Sequence, residues 1–489
     1  MTSTPRERRS LAGWLPAGTA AVALGLAING AATYVFLGLP ARSNRLDPHD
    51  FAIFSTLWFT AYLIGPGLFI PLEQELARRV ATARAKGLSP SADEKATLLI
   101  GTLATLVVGV ALLAFAGPIG RQFFGGERRI VAVLAMAIAS TGVAQWTKGM
   151  LAGRGLFTRY GILVGAEGLA RVAILAVFVA IGPETVAPYT VAVAISPLGA
   201  LFLLRRVTER GPSGEVRPIL RQVATSLGVL ASAQFAAQFL MNGVPLALAA
   251  LGDPNDKETV GRVGAALVLA RVPLFLFQAI QASLLPGLAA LAELDDMAAF
   301  RHRVRSVAAA ISVLGLAAIA GGAVLGPYAT RTLFGPDFES SPAEFASLVA
   351  SAIAVVLALV SAQALIALNR HRLAAVGWLI GAAAFVVLLG LPLSLLAKVL
   401  VAGIVGPSIA LVAMVTMLSR AGGPGCTGGR GRCLRRRRCD DLGNTDAQGM
   451  KPGNLALDAA PQSNHEAKGR ERCCWQIGVR QYLLDLGPV

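Results

Sequence analysis

The stretch FAIFSTLWFTAYLIGPGLFIPLEQELARR, residues 51–79, decides the fold class. Its first 22 residues, 51–72, contain no charged side chain, and a cluster of Glu and Arg follows at once. An apolar run of about 20 residues is the length that an α-helix needs to cross the hydrocarbon core of a bilayer. We therefore interpret residues 52–72 as a transmembrane helix that ends at a polar membrane surface.

The composition of the whole chain extends this interpretation. Of its 489 residues, 55% are hydrophobic and 15% are charged, whereas soluble domains carry roughly 25% charged residues. A soluble fold always exposes a large surface and could not hide so much apolar area. The net charge of +16 comes in short basic clusters between apolar runs, which indicates membrane topology and not a nucleic-acid partner.

Apolar runs of spanning length recur along almost the whole chain up to residue 420. Lipid cannot hydrogen-bond to open backbone groups, so these runs must be helical. The sequence thus predicts an all-α polytopic membrane protein with about twelve transmembrane helices. We place them near residues 16–38, 52–72, 97–117, 130–149, 160–182, 185–204, 222–250, 263–290, 306–327, 344–367, 373–394 and 396–418.

Basic residues set the orientation of these spans, because loops on the cytoplasmic side are enriched in Lys and Arg. One set of loops, which includes Lys148, carries about 21 basic residues, and the other set carries about 9. We assign the richer set to the cytoplasm. Both termini are then predicted to be cytoplasmic.

Four sequence matches recur in the same order, each about 209 to 216 residues after its counterpart. This regular spacing indicates that the chain contains two copies of one unit. Six is an even number of spans, so both copies enter and leave on the same side, as in parallel-repeat transporters. We predict two parallel six-helix bundles around a central cleft, at residues 16–210 and 211–420. The matches are Ile28-Asn29-Gly30 with Met241-Asn242-Gly243, Ile70-Pro71 with Leu285-Pro286, Gly117-Pro118 and Phe124-Gly125 with Gly326-Pro327 and Phe334-Gly335, and RYGILVGA at 159–166 with AVGWLIGA at 375–382.

The two ends of the chain differ from this body. Residues 1–15 are predicted to be a cytoplasmic N-terminus, and residues 421–489 a disordered, basic cytoplasmic tail. All five cysteines fall in that tail, and their spacings match no familiar zinc pattern. We therefore predict no metal site and no cofactor.

Charged side chains inside the spans are costly and mark candidate functional positions. Glu167 and Arg171 lie four residues apart, on one face of the fifth helix. They are either a mutually neutralised pair or part of the cleft lining. Arg271 in the eighth span has no acid within four residues, so its partner comes from another helix or from a ligand. Its guanidinium suits a phosphate, and the competing interpretation is snorkelling toward headgroups.

Amides and prolines supply a second group of candidates. Amide side chains in spans either bond helix to helix or line a polar path, and Pro residues bend helices that must open on alternate sides. The candidates for the cleft are Asn29, Asn242 and Gln278, beside Arg171, Arg271 and Glu167. The candidates for gating or structural roles are Glu73, Glu75, Pro66, Pro71, Pro273 and Pro286.

Several chemistries have no motif in this chain. There is no GxxxxGK[ST] phosphate loop, no HExxH, and no His or Cys cluster among the predicted spans. The sequence therefore names no catalytic residues, and we expect a protein that is not an enzyme. Large duplicated polytopic proteins are mostly transporters.

Residues 51–79, with their PLEQELARR ending, resemble the bacterial polysaccharide biosynthesis membrane proteins. These are the lipid-linked oligosaccharide flippases of the multidrug/oligosaccharidyl-lipid/polysaccharide exporter superfamily, which also contains the MATE transporters. The resemblance covers about residues 10 to 420. It implies a flippase in the bacterial inner membrane that moves an undecaprenyl-pyrophosphate-linked oligosaccharide to the outer leaflet. It also implies membrane lipids and glycosyltransferases or a polymerase of the same pathway as partners.

The resemblance implies that basic residues in the cleft contact the pyrophosphate. Arg171 and Arg271 are the basic residues of this sequence that lie deep within predicted spans. Glu73 and Glu75 fall in the matching segment, where pairing with Arg78 and Arg79 is the simpler role. Two other functions stay open. One is a MATE-type drug or cation antiporter, which needs a titratable carboxylate in the membrane. The other is a scaffold or scramblase.

Overall fold

The computed structural model describes residues 18–201, 216–253 and 256–421, and all regular elements within these ranges are helices. The predicted N-terminal segment, the stretch between the predicted halves and the tail after residue 421 lie outside the described residues. The first half comprises α1 (Thr19–Arg42), α2 (Pro48–Ala85), α3 (Ser91–Ala114), α4 (Ala116–Phe123), α5 (Arg128–Gly153), α6 (Phe157–Ile181) and α7 (Ala187–Ile195), which continues into a 3₁₀ turn (Ser196–Gly199).

The second half repeats this order of long helices. It comprises α8 (Val216–Leu251), α9 (Lys257–Ala270), α10 (Val272–Glu293), α11 (Met297–Phe334), α12 (Pro342–Ala367), α13 (His371–Leu388) and α14 (Leu395–Ala421), with a 3₁₀ turn (Pro336–Phe338) before α12.

Ten helices of the described residues are long and apolar enough to cross a membrane. The two other predicted spans take a different form. The sixth is the shorter apolar stretch Ala187–Gly199, and the eighth is divided between α9 and α10. The prediction of an all-helical polytopic membrane protein is confirmed, and the chain is a multi-pass membrane protein.

The same helix pairs pack in both halves, which gives the duplication a physical form. In the first half α1 packs on α6, α2 and α3 on α5, and α7 on α5 and α6. In the second half α8 packs on α13, α10 and α11 on α12, and α14 on α12 and α13. Each pair in the second half corresponds to the pair six spans earlier, so the two halves are copies of one packing plan.

The ends of the third and ninth spans share one further detail. Phe124 and Phe334 are fully or almost fully buried, and each is followed by a glycine with positive φ, +62° at Gly125 and +120° at Gly335. A backbone in this region strongly favours glycine. In both halves the matched Phe-Gly pair therefore ends its span at a glycine with positive φ, although the two φ values differ.

The matched glycines of the fifth and eleventh spans are used differently. A Cβ on Gly161 would lie 2.2 Å from the carbonyl oxygen of Ala21, so glycine permits the close contact of α1 with α6. The corresponding Gly377 and Gly381 face α14 instead, where a Cβ would meet Met414 and Ala410 at 2.4 and 2.6 Å. Small residues allow close helix packing in lipid, but in the two halves the matched glycines pack against helices that do not correspond.

Contacts between the halves include the ends of α2, α8 and α9 that we predict to face outward. Gly261 of α9 packs on the Pro48 carbonyl, and the Phe51 ring meets the Phe334 ring edge-on at 5.6 Å. The amide of Gln122 in α4 also donates to the carbonyls of Ala249 and Ala250 at the end of α8, at 3.3 and 3.0 Å. These contacts join the halves at the predicted outer end, and α2 also meets α8 nearer the middle of both helices, where Gly67 lies against Phe235.

The candidate prolines divide into two structural classes. Pro66 and Pro71 lie inside α2, which continues without interruption from Pro48 to Ala85. Pro273 lies in the first turn of α10, a position that tolerates a residue without a backbone N–H. The side chain of Pro286 lies outside the described part of α10. Of the three candidate prolines whose side chains the structure describes, Pro273 alone coincides with a break in its span.

Candidate functional site

Arg271 occupies the break in the eighth span. It follows Ala270, the last residue of α9, and precedes Val272, the first residue of α10. α9 has 14 residues and α10 has 22, so the break lies well inside the crossing segment. Broken helices at this depth commonly form the substrate and ion sites of repeat transporters.

The side chain of Arg271 reaches from the second half to the first. Its Nη2 donates a hydrogen bond to the carbonyl oxygen of Met241 in α8. Its Cζ lies 5.0 Å from the centre of the Phe59 ring in α2, within range of a cation–π interaction. Arg271 is thus held between the two halves and does not point outward into lipid.

No carboxylate among the described residues forms an ion pair with Arg271. A carbonyl dipole and an aromatic face offset part of the cost of burying its charge, but neither carries a negative charge. The site therefore combines a fixed cation, a planar set of donors and a position between the halves. This combination can bind an anion.

A second cluster of charged groups lies inside the first half. Lys148 Nζ lies 2.9 Å from one carboxylate oxygen of Glu167, and Arg171 Nη2 lies 3.3 Å from the other. The side chain of Arg171 is 2% exposed, and those of Lys148 and Glu167 are 12% and 13% exposed. One carboxylate thus joins two cations in the protein interior.

Aromatic rings enclose the guanidinium of Arg171. Its Cζ lies 4.9 Å from the Trp58 ring centre, 5.9 Å from that of Phe36 and 6.0 Å from that of Tyr62. Its Nε donates to the Ser196 hydroxyl at 3.4 Å, while Nη1 is buried and makes no hydrogen bond to the described residues. All these contacts lie in the first half, so Arg171 and Arg271 occupy separate environments.

Glu73 and Glu75 have different surroundings although they are two residues apart. Glu73 accepts a hydrogen bond of 2.9 Å from the Tyr160 hydroxyl of α6. Glu75 is bound by the guanidinium groups of Arg78 and Arg79, at 2.8 and 2.6 Å. Glu75, which is 4% exposed, therefore belongs to an ion network with two arginines of its own helix, whereas Glu73 faces α6, the helix that carries Glu167 and Arg171.

The network around Glu75 ties three helices together at the predicted cytoplasmic end. Arg79 also pairs with Asp93 at the start of α3, at 3.2 Å. In the same region Arg154, next to the end of α5, pairs with Glu94 at 2.7 Å, and both side chains are almost fully buried. The charges that follow residue 72 thus fasten α2, α3 and α5, as the simpler interpretation of Glu75 proposed.

The candidate amides are mainly in helix contacts. Asn242 is 3% exposed, and its side-chain nitrogen donates to the backbone carbonyl of Gln238 at 2.9 Å. Asn29 Oδ1 is buried without a hydrogen bond to the described residues, at the close approach of α1 to Gly168. The side chain of Gln278 lies outside the described part of the chain. Asn29 and Asn242 therefore sit in helix-packing environments.

Residues 47–50 hold the one group of potential metal ligands found in the described ranges. Ligand atoms of Asp47, His49 and Asp50 lie within 4.8 Å of one another. Asp47 accepts a hydrogen bond from the backbone N–H of Asp50 at 2.8 Å and so caps α2. Helix capping accounts for Asp47, and the other two side chains are partly exposed.

Sequence reasoning missed three parts of these sites. Lys148 was counted with a cytoplasmic loop, although it also fell at the end of the predicted span 130–149. The loop assignment is wrong, because Lys148 lies within α5, is 12% exposed and pairs with Glu167. Its place at the polar end of an apolar run gave no signal of burial. Phe59 and Tyr160 were not singled out either. Aromatic residues are common in transmembrane spans. Phe59 and Tyr160 could therefore be recognised only once the structure showed which residues they contact.

Comparisons with known proteins were made for the sequence and for the fold. No protein-family model matches the chain. An uncharacterised protein of Mycobacterium bovis is 28% identical over 411 residues, covering 82% of this chain and 92% of that protein. An uncharacterised protein of Mycobacterium tuberculosis H37Rv is 28% identical over 400 residues, covering 80% and 89%.

Solved structures of transporters have a similar fold. An inward-facing multidrug resistance MATE family transporter of the MOP superfamily aligns with a TM-score of 0.61 and 14% identity, over 86% of this chain and 96% of that one. The chain has the fold of MATE family transporters. A MOP superfamily transporter from Pyrococcus furiosus, described as having a binding pocket of reversed polarity, aligns with a TM-score of 0.55 and 12% identity, over 83% and 96%.

Proposed function

We propose that this protein flips a lipid-linked oligosaccharide of the undecaprenyl-pyrophosphate type from the inner to the outer leaflet of a bacterial inner membrane. It does so by alternating access, for surface polysaccharide biosynthesis. The MATE transporter fold supports a membrane transporter, and the resemblance of residues 51–79 favours the flippases. Glycosyltransferases or a polymerase of the same pathway would then be partners, and both termini would be cytoplasmic.

One observation carries the choice of an anionic substrate. Arg271 lies between the halves, bound to a carbonyl of α8 and the Phe59 ring, with no ion pair to a described carboxylate. A guanidinium presents its donors in a plane that matches two phosphate oxygens. A diphosphate entering between the halves would supply the negative charge that the protein side of this site lacks.

The Lys148–Glu167–Arg171 cluster has a different role in this proposal. Its two cations already share a carboxylate inside the first half. Removing one partner of such a buried pair leaves an uncompensated charge. We assign this cluster to holding α5 and α6 together, and Arg271 to the substrate.

A flipping assay tests the proposal. The purified protein is reconstituted into liposomes with a fluorescent oligosaccharide on a polyprenyl diphosphate, and a membrane-impermeant quencher reports the fraction in the outer leaflet. Wild type and Arg331→Ala, which alters an exposed ion pair, are expected to flip the lipid. Arg271→Ala is expected to lose flipping while remaining folded, with a cooperative thermal unfolding transition. Equal flipping by Arg271→Ala would reject the assignment of Arg271.

A MATE-type drug or cation antiporter is the second candidate, and one observation favours it. Glu73 is a carboxylate inside α2 whose hydrogen-bond partner is the neutral hydroxyl of Tyr160. A membrane carboxylate that is free to bind a proton or a sodium ion is what antiport requires. Proton-driven dye efflux that is abolished by Glu73→Gln, and unaffected by Arg271→Ala, would support this candidate over the flippase.

A further inference from the structure

Two apolar cavities meet at Phe239 on the flank of the bundle. The first has a volume of about 370 Å³ and lies between α2, α3, α4, α5 and α8. The second has a volume of about 610 Å³ and lies between α2, α8 and α13. Both are lined by Phe239, so the two cavities lie end to end along α8, and we call them together the seam groove. Its other lining residues include Leu63, Leu246, Leu68, Phe235 and Ala383.

The seam groove runs along nearly the whole apolar part of α8. Its lining includes Ala231 at one end and Leu251 at the other, and the apolar window of this helix is Leu230–Leu251. At a rise of 1.5 Å per residue this stretch is about 30 Å long. A bilayer's hydrocarbon core has the same thickness, about 30 Å.

The chemistry of the lining fits a hydrocarbon chain. Thr60 and Ser232 are the polar residues among those that line the two cavities. The Thr60 hydroxyl already donates to the carbonyl of Thr56 in its own helix, at 2.7 Å. The remaining lining residues are Leu, Ile, Val, Phe and Ala, so a polar ligand would find few partners in the groove.

The seam groove is also formed by both halves of the molecule. Leu63 and Leu68 come from α2, whereas Phe239 and Ala383 come from α8 and α13. Where α2 meets α8, a Cβ on Gly67 would lie 2.9 Å from the Phe235 ring, so the absence of a side chain at Gly67 admits this ring. A chain in the groove therefore contacts both bodies that must move during alternating access.

We propose that the seam groove binds the polyprenyl chain of the lipid-linked substrate, an inference that rests on the proposed flippase function. An acyl chain of a bilayer lipid covers one leaflet, about half of the hydrocarbon thickness. The groove crosses both leaflets, so a single acyl chain would leave about half of it unfilled, whereas a long polyprenyl chain fills it.

The depth of Arg271 agrees with this assignment. Its hydrogen-bond partner Met241 lies at the midpoint of the stretch from Ala231 to Leu251. A diphosphate bound at Arg271 is therefore at the depth of the middle of the groove. Met241 and Phe239 are two positions apart on α8 and face opposite sides of the helix, so head and chain occupy the two sides of one helix, next to its contact with α2.

Photo-crosslinking in nanodiscs tests the proposal on the full-length protein. A long-chain polyprenyl phosphate with a diazirine in its chain is compared with a phosphatidylglycerol that carries the same group. We expect the polyprenyl probe to label α8 between Ala231 and Leu251 along the groove face. Labelling of the groove by the phospholipid alone, or equal polyprenyl labelling of the exposed face of α11, overturns the proposal.

Variants that fill the groove give a matched control. Ala250 and Ala383 line the groove and are exposed, so Ala250→Trp and Ala383→Trp occupy its space without displacing packed atoms. We expect each to lower polyprenyl labelling at least about tenfold. Ala317→Trp makes the same change at an exposed position of α11 and is expected to leave labelling unchanged. Unchanged labelling in both groove variants overturns the proposal.

Flipping by the same proteins separates this inference from the proposed function. If wild type flips the lipid and both groove variants flip it equally well, the groove assignment fails and the flippase function stands. If wild type labels the groove but moves no lipid, the flippase function fails, and with it the groove's role in transport.

Discussion

The guanidinium carbon of Arg271 lies 5.0 Å from the centre of the Phe59 ring. Arg271 belongs to the second half of the molecule and Phe59 to the first, so this contact crosses the boundary between the two halves. Because the contact is a cation–π interaction, it is worth about 0.5–2 kcal/mol. A bound diphosphate would interact more strongly with the same guanidinium, so a substrate can replace this contact.

Arg271 should therefore set the affinity for the diphosphate head. Arg271→Ala is expected to weaken binding of a short-chain polyprenyl diphosphate by at least about 30-fold, because losing a buried charged partner costs about 2–5 kcal/mol. Arg271→Lys keeps the charge but loses the planar donor set, so we expect an intermediate affinity. Titration calorimetry on the detergent-solubilised protein measures both, and equal affinity in all three proteins contradicts the prediction.

Glu167 should be a stability residue. Glu167→Gln leaves two buried cations, Lys148 and Arg171, without their shared carboxylate, and breaking such a pair costs about 3–5 kcal/mol. We expect a clear fall in the thermal unfolding midpoint of the purified protein. Glu339→Gln alters an exposed pair with Arg331 and should cost at most about 1 kcal/mol. Equal midpoints for the two variants contradict the interior role of Glu167.

The contact between α1 and α6 should depend on the absence of a side chain at Gly161. Gly161→Ala places a methyl group 2.2 Å from a backbone oxygen, and such overpacking typically costs about 1–3 kcal/mol. Gly109 in α3 has no atom within 4 Å of a built Cβ, so Gly109→Ala should be neutral or stabilising. Thermal unfolding of both variants measures the two effects. A Gly161→Ala protein as stable as wild type would contradict the prediction, because α1 and α6 could then move apart at little cost.

The predicted topology has a direct chemical test. The five native cysteines, all after residue 421, are first replaced by serine. A single cysteine is then introduced as Leu88→Cys, between α2 and α3, or as Asp337→Cys, between α11 and α12. In intact cells an impermeant maleimide should label only the second, because positive residues cluster at the loop that contains Leu88. The reverse pattern contradicts cytoplasmic termini.

Most of the fold followed from the sequence because lipid imposes a simple rule. Spans must be helices of a set length, so apolar runs such as 52–72 located them. Pro273 was one of four prolines expected to bend their helices, and the eighth span is broken two residues before it, at Arg271. Matches such as Phe124-Gly125 with Phe334-Gly335 indicated the duplication, because they recur in the same order and at a nearly constant distance along the chain.

The candidate site was only partly predictable, because its contacts join residues far apart in the chain. The sequence required a partner for Arg271 from another helix, but nothing marked the Met241 carbonyl, which any residue at that position would provide. Lys148 resembled a loop residue, since burial depends on how α5 and α6 pack. The pairing of Glu167 with Arg171 was visible because it lies within one helix turn.

Transport selectivity in liposomes tests the central claim most directly. The reconstituted protein is given a fluorescent polyprenyl-diphosphate oligosaccharide in one preparation and a cationic dye with an imposed proton gradient in another. The account predicts movement of the lipid-linked oligosaccharide, its loss in Arg271→Ala, and no movement of the dye. Gradient-driven dye movement without any flipping of the lipid would contradict it.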